Sequence, residues 1–419
     1  MLRKIQVVAI VILLSVIFNL FGGDSSNWPQ WRGPGFIGSS ESTNYPVKWN
    51  HSENLVWKTE LPGRASSTPI IWEEHIILTA PIQQEDGVLS LDLSGNKRWE
   101  ATLGKERSGK HRTASGSNPS PITDGETIFA YFKSGTLAAL DFKGNVLWKT
   151  NLQEFFGKDN LWWDIGTSPV LTDNYVIGTV MHTGESGLVA FEKKTGKTIW
   201  KIRRNYETPL ENSDSYTTPL VVDYKGQEII IVWGAEHVTA YNAKDGDLLW
   251  TCSGFNPNQT QNWPTVASPV VIGDILIISY GRGSLLAGIR LGGSGDVTKS
   301  HRMWTREGSG GFVPTPAIYD GKVYLLGDRG QLLCVDPETG KTLLEGELPK
   351  NRRKYYASPL VVDGKLYAAR EDGMVYVTTI EGEFKLLSEN PMDEQMIASP
   401  VPMAGKIFLR GDKHLFAVK

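Results

Sequence analysis

The sequence predicts an all-β fold, an eight-bladed β-propeller of four-stranded antiparallel blades, on three observations. A Ser-Pro or Thr-Pro dipeptide recurs eight times, at Thr68, Ser120, Ser168, Thr218, Ser268, Thr315, Ser358 and Ser399, with spacings of 41 to 52 residues. Each dipeptide is followed by short alternating apolar segments separated by turns rich in Gly and Asp. The last unit stops one segment short, and the start of the chain supplies a matching segment. Four strands per period of about 40 to 50 residues is the spacing of a propeller blade.

The elements follow in chain order. Residues 1–23 carry Arg3 and Lys4, an apolar run from Val7 to Phe21, then Gly22 and Gly23. This is the pattern of a secretory signal peptide, cleaved near Gly22 to Ser25, with an uncleaved membrane anchor as the alternative. The protein is therefore expected to be exported, to the periplasm or beyond the cell. Residues 24–53 form an N-terminal extension packed on the ring. Its stretch NWPQWRGPGFIG, residues 27–38, is expected to fasten the chain by Trp28 and Trp31 to the lower face or outer flank of the ring. A ligand-stacking role is the competing reading.

Residues 54–419 form the propeller. The unit TPAIYDGKVYLLGDRGQLLCVDPETGKTLLEGEL shows the pattern: Pro opens the first strand, where it removes no ladder hydrogen bond, and Asp-Gly, Gly-Asp and Thr-Gly turns separate the rest. An aromatic stands four residues after the last turn glycine at Trp99, Trp148, Trp200 and Trp250. Trp304 follows a longer turn, and Leu344 and Leu386 hold the same place in two later units. One large flat side chain per blade is expected to fill the gap between neighbouring sheets. The final unit, IASPVPMAGKIFLRGDKHLFAVK, has three strands, and NLVWKTELPG around Trp57 reads like VLWKTNL around Trp148. The N-terminal strand thus completes the eighth blade and removes the edge that an open array would expose.

Composition narrows the function classes. The 419 residues include 40% hydrophobic and 21% charged residues at a formal net charge of −3, with no basic run, so nucleic acid is not an expected partner. Two cysteines, Cys252 and Cys334, are too few for a disulfide framework or a cysteine metal site; their repeat positions put them in different blades as buried free thiols. Gly196-Lys197-Thr198 and Gly340-Lys341-Thr342 lack the upstream glycine of a phosphate loop. Arg410-Gly411-Asp412 falls at a turn where Gly-Asp is expected from turn chemistry alone. A monomer is expected.

The turns AFEKKTGKTIW and CVDPETGKTLL resemble the tryptophan-docking motif of pyrroloquinoline quinone (PQQ) repeat proteins, and the resemblance runs through YTTPLVVD, VTAYNAKDGDLLW and YASPLVVDGKLY over nearly the whole mature chain. The sequence looks most like the exported PQQ-binding-like propellers of planctomycetes and related bacteria. Relatives of that family include the quinoprotein alcohol dehydrogenases, which are enzymes, and the outer-membrane assembly lipoprotein BamB, which is not. The motif therefore specifies fold more strongly than function.

Function in a propeller sits on the upper face, where blade-to-blade loops and second-to-third turns surround a central funnel. Those loops supply the candidate ligand-binding residues Trp163, Asp164, Arg353, His111, Arg112, Asn262 and Arg329. No catalytic or metal residue is assigned. The catalytic branch of the resembled family implies PQQ with Ca²⁺, held by a stacking tryptophan and Glu, Asn and Asp oxygens; Trp163, Asp164 and Asn262 could imitate part of that set. The adjacent cysteine pair of the alcohol-oxidising branch has no counterpart here. The sequence therefore predicts a non-enzymatic binding or scaffold propeller with a protein, peptide or glycan on its funnel face. The alternatives are a PQQ-dependent alcohol or sugar dehydrogenase, and carbohydrate binding through Trp162, Trp163 and Trp263.

Overall fold

The computed structural model describes residues 27–419; the predicted signal peptide lies outside the described residues. Eight antiparallel sheets follow one another around a ring. Blade 1 runs Ile70–Trp72, His75–Ile82, Glu85–Leu91 and Lys97–Lys105, from the axis outward. Blade 8 takes Val401–Met403, Lys406–Arg410 and His414–Val418 from the C-terminus and its outer strand, Leu55–Glu60, from the N-terminus. Leu55 pairs with Val418 and Glu60 with His414, so the two ends of the chain close the ring as the repeat count requires.

Burial follows from the architecture. The second strands lie between two neighbouring sheets and are apolar on both faces; Ile275–Tyr280 is buried along its whole length. The outer strands alternate half-buried with exposed residues, as in Leu55–Glu60 and Thr342–Glu347. The apolar clusters lie between blades, not within them: one joins blades 7, 8 and 1, and another joins blades 3, 4 and 5. Each interface removes one face of two sheets from water at about 25 cal/mol per Å², which is why a blade has no stability of its own.

Five tryptophans of the outer strands share one packing arrangement between neighbouring blades. The indole N–H of Trp57, Trp99, Trp148, Trp200 and Trp304 donates to a backbone oxygen of the next blade, Leu93, Phe142, Lys193, Ala243 and Pro337 respectively, at 2.8 to 3.2 Å. Each ring covers the turn glycine of that next blade. A Cβ at Gly95, Gly144, Gly196, Gly246 or Gly340 would meet the indole at 2.6 to 3.0 Å, and all five have positive φ, so only glycine fits. Trp250 is buried at the next interface, where Gly295–Asp296 instead adds a parallel fifth strand beside Leu248–Cys252. Cys252 and Cys334 are buried and unpaired. Arg410 is also buried, donating to Ser67 O and Thr79 O of blade 1, so the Arg-Gly-Asp tripeptide is a blade-closing contact and not a surface motif.

The extension takes a different course from the one expected. Instead of lying on the lower face or flank, residues 27–40 enter the central channel from below and return. Trp28 bridges antiparallel to Ile71 on the open inner edge of blade 1, and Pro29 O accepts from Thr123 N of blade 2. The chain turns at Pro34–Phe36 and descends with Ser39–Ser40 parallel to Leu360–Val362 of blade 7. Phe36 packs into the cluster of blades 3 to 5, and Ile37 into that of blades 5 and 6. The innermost strands carry unpaired backbone groups on their axial edges, and a hairpin-shaped segment rich in Pro, Gly and Trp satisfies several of them at once. Beyond it, Trp49 stacks on Tyr367 at 6.3 Å in the interface of blades 7 and 8.

Candidate functional site

The eight Ser/Thr-Pro dipeptides meet at the axis. The backbone N–H of each Ser or Thr donates to the side-chain oxygen of its counterpart in the next blade: Thr68 to Ser120, Ser120 to Ser168, Ser168 to Thr218, Thr218 to Ser268, Ser268 to Thr315, Thr315 to Ser358, Ser358 to Ser399, and Ser399 to Thr68. The distances are 2.9 to 3.2 Å, and the circuit closes on itself. Pro at the following position contributes no N–H and fixes φ, which holds the preceding residue extended so that its hydroxyl faces its neighbour. Among the described residues none of the eight hydroxyls donates a hydrogen bond to the protein. Each therefore keeps a free proton at the funnel floor.

Above this girdle lies a cavity of about 340 Å³. Trp31, at the top of the channel segment, contributes to its floor, while Trp163, Tyr216, Phe312 and Tyr356 form aromatic walls. Below, Arg32 is 2% exposed and donates to Pro359 O at 2.5 Å and Pro316 O at 2.8 Å, at the mouths of blades 7 and 6. Burial pulls its guanidinium down to about 9, which leaves it a cation at neutral pH with carbonyl oxygens as its partners. The stretch singled out at the start of the chain therefore does two things: Trp28 and Arg32 fasten, and Trp31 faces the cavity.

The loops after blades 1 and 2 roof one side. Trp163 packs edge-on against His111 with ring centroids 4.5 Å apart, and its backbone N–H donates to Tyr216 Oη at 3.2 Å. Asp164 has positive φ and no exposed surface; its carboxylate accepts from Lys110 N at 2.6 Å and faces Lys133 Nζ at 2.5 Å. Arg112 reaches over the mouth to Glu371 of blade 7 at 3.0 Å. On the far wall Asp328 accepts from the backbone N–H groups of Phe312 and Val313 at 3.1 and 3.2 Å. Burial raises the Asp328 carboxyl above its ordinary range, and the two N–H donors oppose the rise.

The structure thus brings Trp163 and Asp164 to the cavity wall, sets His111 behind Trp163, and stretches Arg112 across the mouth. Arg353, Asn262 and Arg329 do not line it. Arg353 is exposed, with its backbone N–H on Asn351 Oδ1. Asn262 is exposed and its backbone oxygen accepts from Arg282 Nε at 2.7 Å. Arg329 points to solvent beside Asp328, which does line the cavity. Lys354 and Arg282 supply the lining cations, and neither is among the seven candidates. The girdle residues were counted as strand openers only; their recurrence as hydroxyl-bearing residues at every Pro was the available signal.

The donors present do not fit a calcium-bound quinone. The two carboxylates of the cavity are committed, Asp164 to Lys133 and Lys110 N, Asp328 to two backbone N–H groups, and neither is left as a hard-cation ligand. Among the described residues no group of three or more His, Cys, Asp or Glu side chains is placed to hold a metal ion. What remains is an array of hydrogen-bond donors, two cationic side chains and aromatic faces.

A family model described as outer membrane protein assembly factor BamB matches residues 43–179, 177–303 and 295–384. The chain is 21% identical over 345 residues to outer membrane protein assembly factor BamB of Yersinia pestis, spanning 80% of this chain and 79% of that protein. Among solved structures it is similar to BamB from Moraxella catarrhalis, with a TM-score of 0.63 at 15% identity over 87% of this chain and 99% of the other. It is also similar to a europium-containing methanol dehydrogenase, with a TM-score of 0.70 at 13% identity over 94% and 91% of the two chains. At these identities the structural likenesses establish the fold alone.

Proposed function

Since the chain belongs to the PQQ-like repeat family of outer membrane protein assembly factor BamB, we propose that it is an exported, non-enzymatic scaffold propeller that holds an oxygen-rich segment of a partner, an acidic peptide or a glycan, in its funnel. The observation that carries this reading is the girdle of eight free hydroxyl protons beneath Lys354, Arg282 and the aromatic walls, in a cavity whose own carboxylates are already engaged. Such a site offers donors and asks for acceptors. The outer-membrane assembly role in the relatives' name supports export.

Calorimetry on the mature protein tests it with four probes: an oligoglutamate peptide, a neutral oligosaccharide, and PQQ with and without Ca²⁺. Binding of peptide or sugar that weakens in Lys354→Ala without a change in Tm supports the reading. Tight Ca²⁺-dependent PQQ binding with dye-linked alcohol oxidation would overturn it.

A further inference from the structure

The funnel is on the upper face; a second opening lies on the lower face, between blades 6 and 7. Five interfaces of the ring are sealed at this level by a docking tryptophan over the next blade's turn glycine. Between blades 6 and 7 the docking position is Leu344, and the turn glycine it should cover, Gly382, has no heavy atom of the described residues within 4 Å of where its Cβ would stand. Phe384 packs edge-on against Tyr324 at 6.4 Å and over Gly346 at the outer end, but the space beside Leu344 stays open. It forms a cleft of about 640 Å³ bordered by Leu344, Ile380 and Gly382. Ile380 precedes Gly382 by two residues, as Leu93 precedes Gly95 and Phe142 precedes Gly144, the carbonyls that accept from Trp57 and Trp99. No hydrogen bond to Ile380 O is made by the described residues outside the strand ladders.

The rim of the cleft is acidic. Glu41, Asp320, Asp363 and Glu381 border it; Lys322 pairs with Asp320 at 2.7 Å and Lys365 with Asp363 at 2.8 Å, while Glu41 and Glu381 have no ion-pair partner among the described residues. We propose that this cleft is a vacant tryptophan-docking site, filled by a tryptophan of a partner protein carried on a basic segment. The same chain shows the occupied form five times: an indole flat on a positive-φ glycine, its N–H on the carbonyl two or three residues earlier. The carboxylate rim selects Lys or Arg beside the indole and makes the association dependent on salt. The surface is separate from the funnel, so its failure and that of the scaffold reading are distinguishable.

The probe is a fluorescently labelled, end-blocked Lys-Leu-Trp-Lys peptide, read by anisotropy at low and at physiological salt. Saturable binding is expected, about tenfold weaker or more with Ala in place of the peptide's Trp, a difference of about 1.4 kcal/mol. Leu344→Trp places the chain's own indole over Gly382 and should abolish binding while raising Tm. Glu381→Lys, an exposed change, should weaken binding with Tm unchanged. Equal binding of the Trp and Ala peptides, or unchanged binding to Leu344→Trp, would overturn the proposal. So would a concentration-dependent dimer that Leu344→Trp abolishes, which assigns the cleft to a second copy, or binding seen only after removal of residues 1–26, which assigns it to the chain's own leader.

Discussion

The backbone N–H of Ser399 donates to Thr68 Oγ1 at 3.1 Å, across 331 residues of sequence. This bond returns the hydroxyl girdle from the last blade to the first, at the upper end of the axis. The Leu55–Val418 pairing does the same for the outer rim. The ring is therefore closed twice, once at its axis and once at its circumference.

Removing one hydroxyl from the girdle leaves a buried N–H without an acceptor. Ser268→Ala orphans the amide of Thr218 and should cost about 1 to 3 kcal/mol, whereas Ser268→Thr keeps the acceptor and should be near neutral. Urea denaturation of the two variants checks this. Equal stability of both would mean that water takes over the bond.

Lys133 and Asp164 have side chains 1% and 0% exposed. Lys133→Met leaves an uncompensated buried carboxylate and should destabilise by about 3 to 5 kcal/mol. Adding Asp164→Asn, which keeps a residue tolerant of positive φ, should recover a large part of that loss. A double variant no more stable than the single one would show that the pair's value lies in its hydrogen bonds to the loops and not in mutual charge balance.

Asp86 gives the protein a pH dependence of its own. Burial pushes its carboxyl up to about 7, with the hydroxyl of Ser134 opposing the rise and Glu106 adding to it. In the unfolded chain it ionises near 4, so between pH 4 and 7 the folded state binds more protons and stability falls as pH rises. Asp86→Asn should remove this slope and stabilise the protein at pH 8 by about 1 to 3 kcal/mol relative to wild type. Parallel thermal melts at pH 5 and pH 8 measure it; an unchanged slope would place the titration elsewhere.

The ring itself was legible because its signals are local and repeated. Ser/Thr-Pro marks the start of each blade, a glycine marks the outer turn of six of them, and the three-stranded last unit required Trp57 and its neighbours to complete it. The tryptophan-to-leucine change at position 344 was visible too, though not the opening it leaves, since that depends on Phe384 reaching only part of the gap. The course of residues 27–40 was not legible. Its contacts are carbonyls and edges from blades 1, 2, 6 and 7, and nothing in a Pro-Gly-rich stretch says which distant edges it will satisfy. Trp163 and Asp164 were placed by the direction of the meander, which sends their loop upward. Lys133 escaped because its position, in a short second-to-third turn, reads as solvated until the loop carrying Asp164 folds over it.

The course of the channel segment also sets an order of events. Arg32 is made early, yet its acceptors Pro316 and Pro359 lie 284 and 327 residues downstream. A growing chain can stack its first five blades by neighbour contacts alone, but Arg32 stays without its two acceptors until blades 6 and 7 begin, and the outer strand Leu55–Glu60 stays unpaired until nearly the last residue exists. Contacts of such sequence separation form late and slowly. Until then an apolar hairpin tip and a free strand edge are both on offer to other chains, so a stalled or truncated polypeptide is the form of this protein most prone to aggregate.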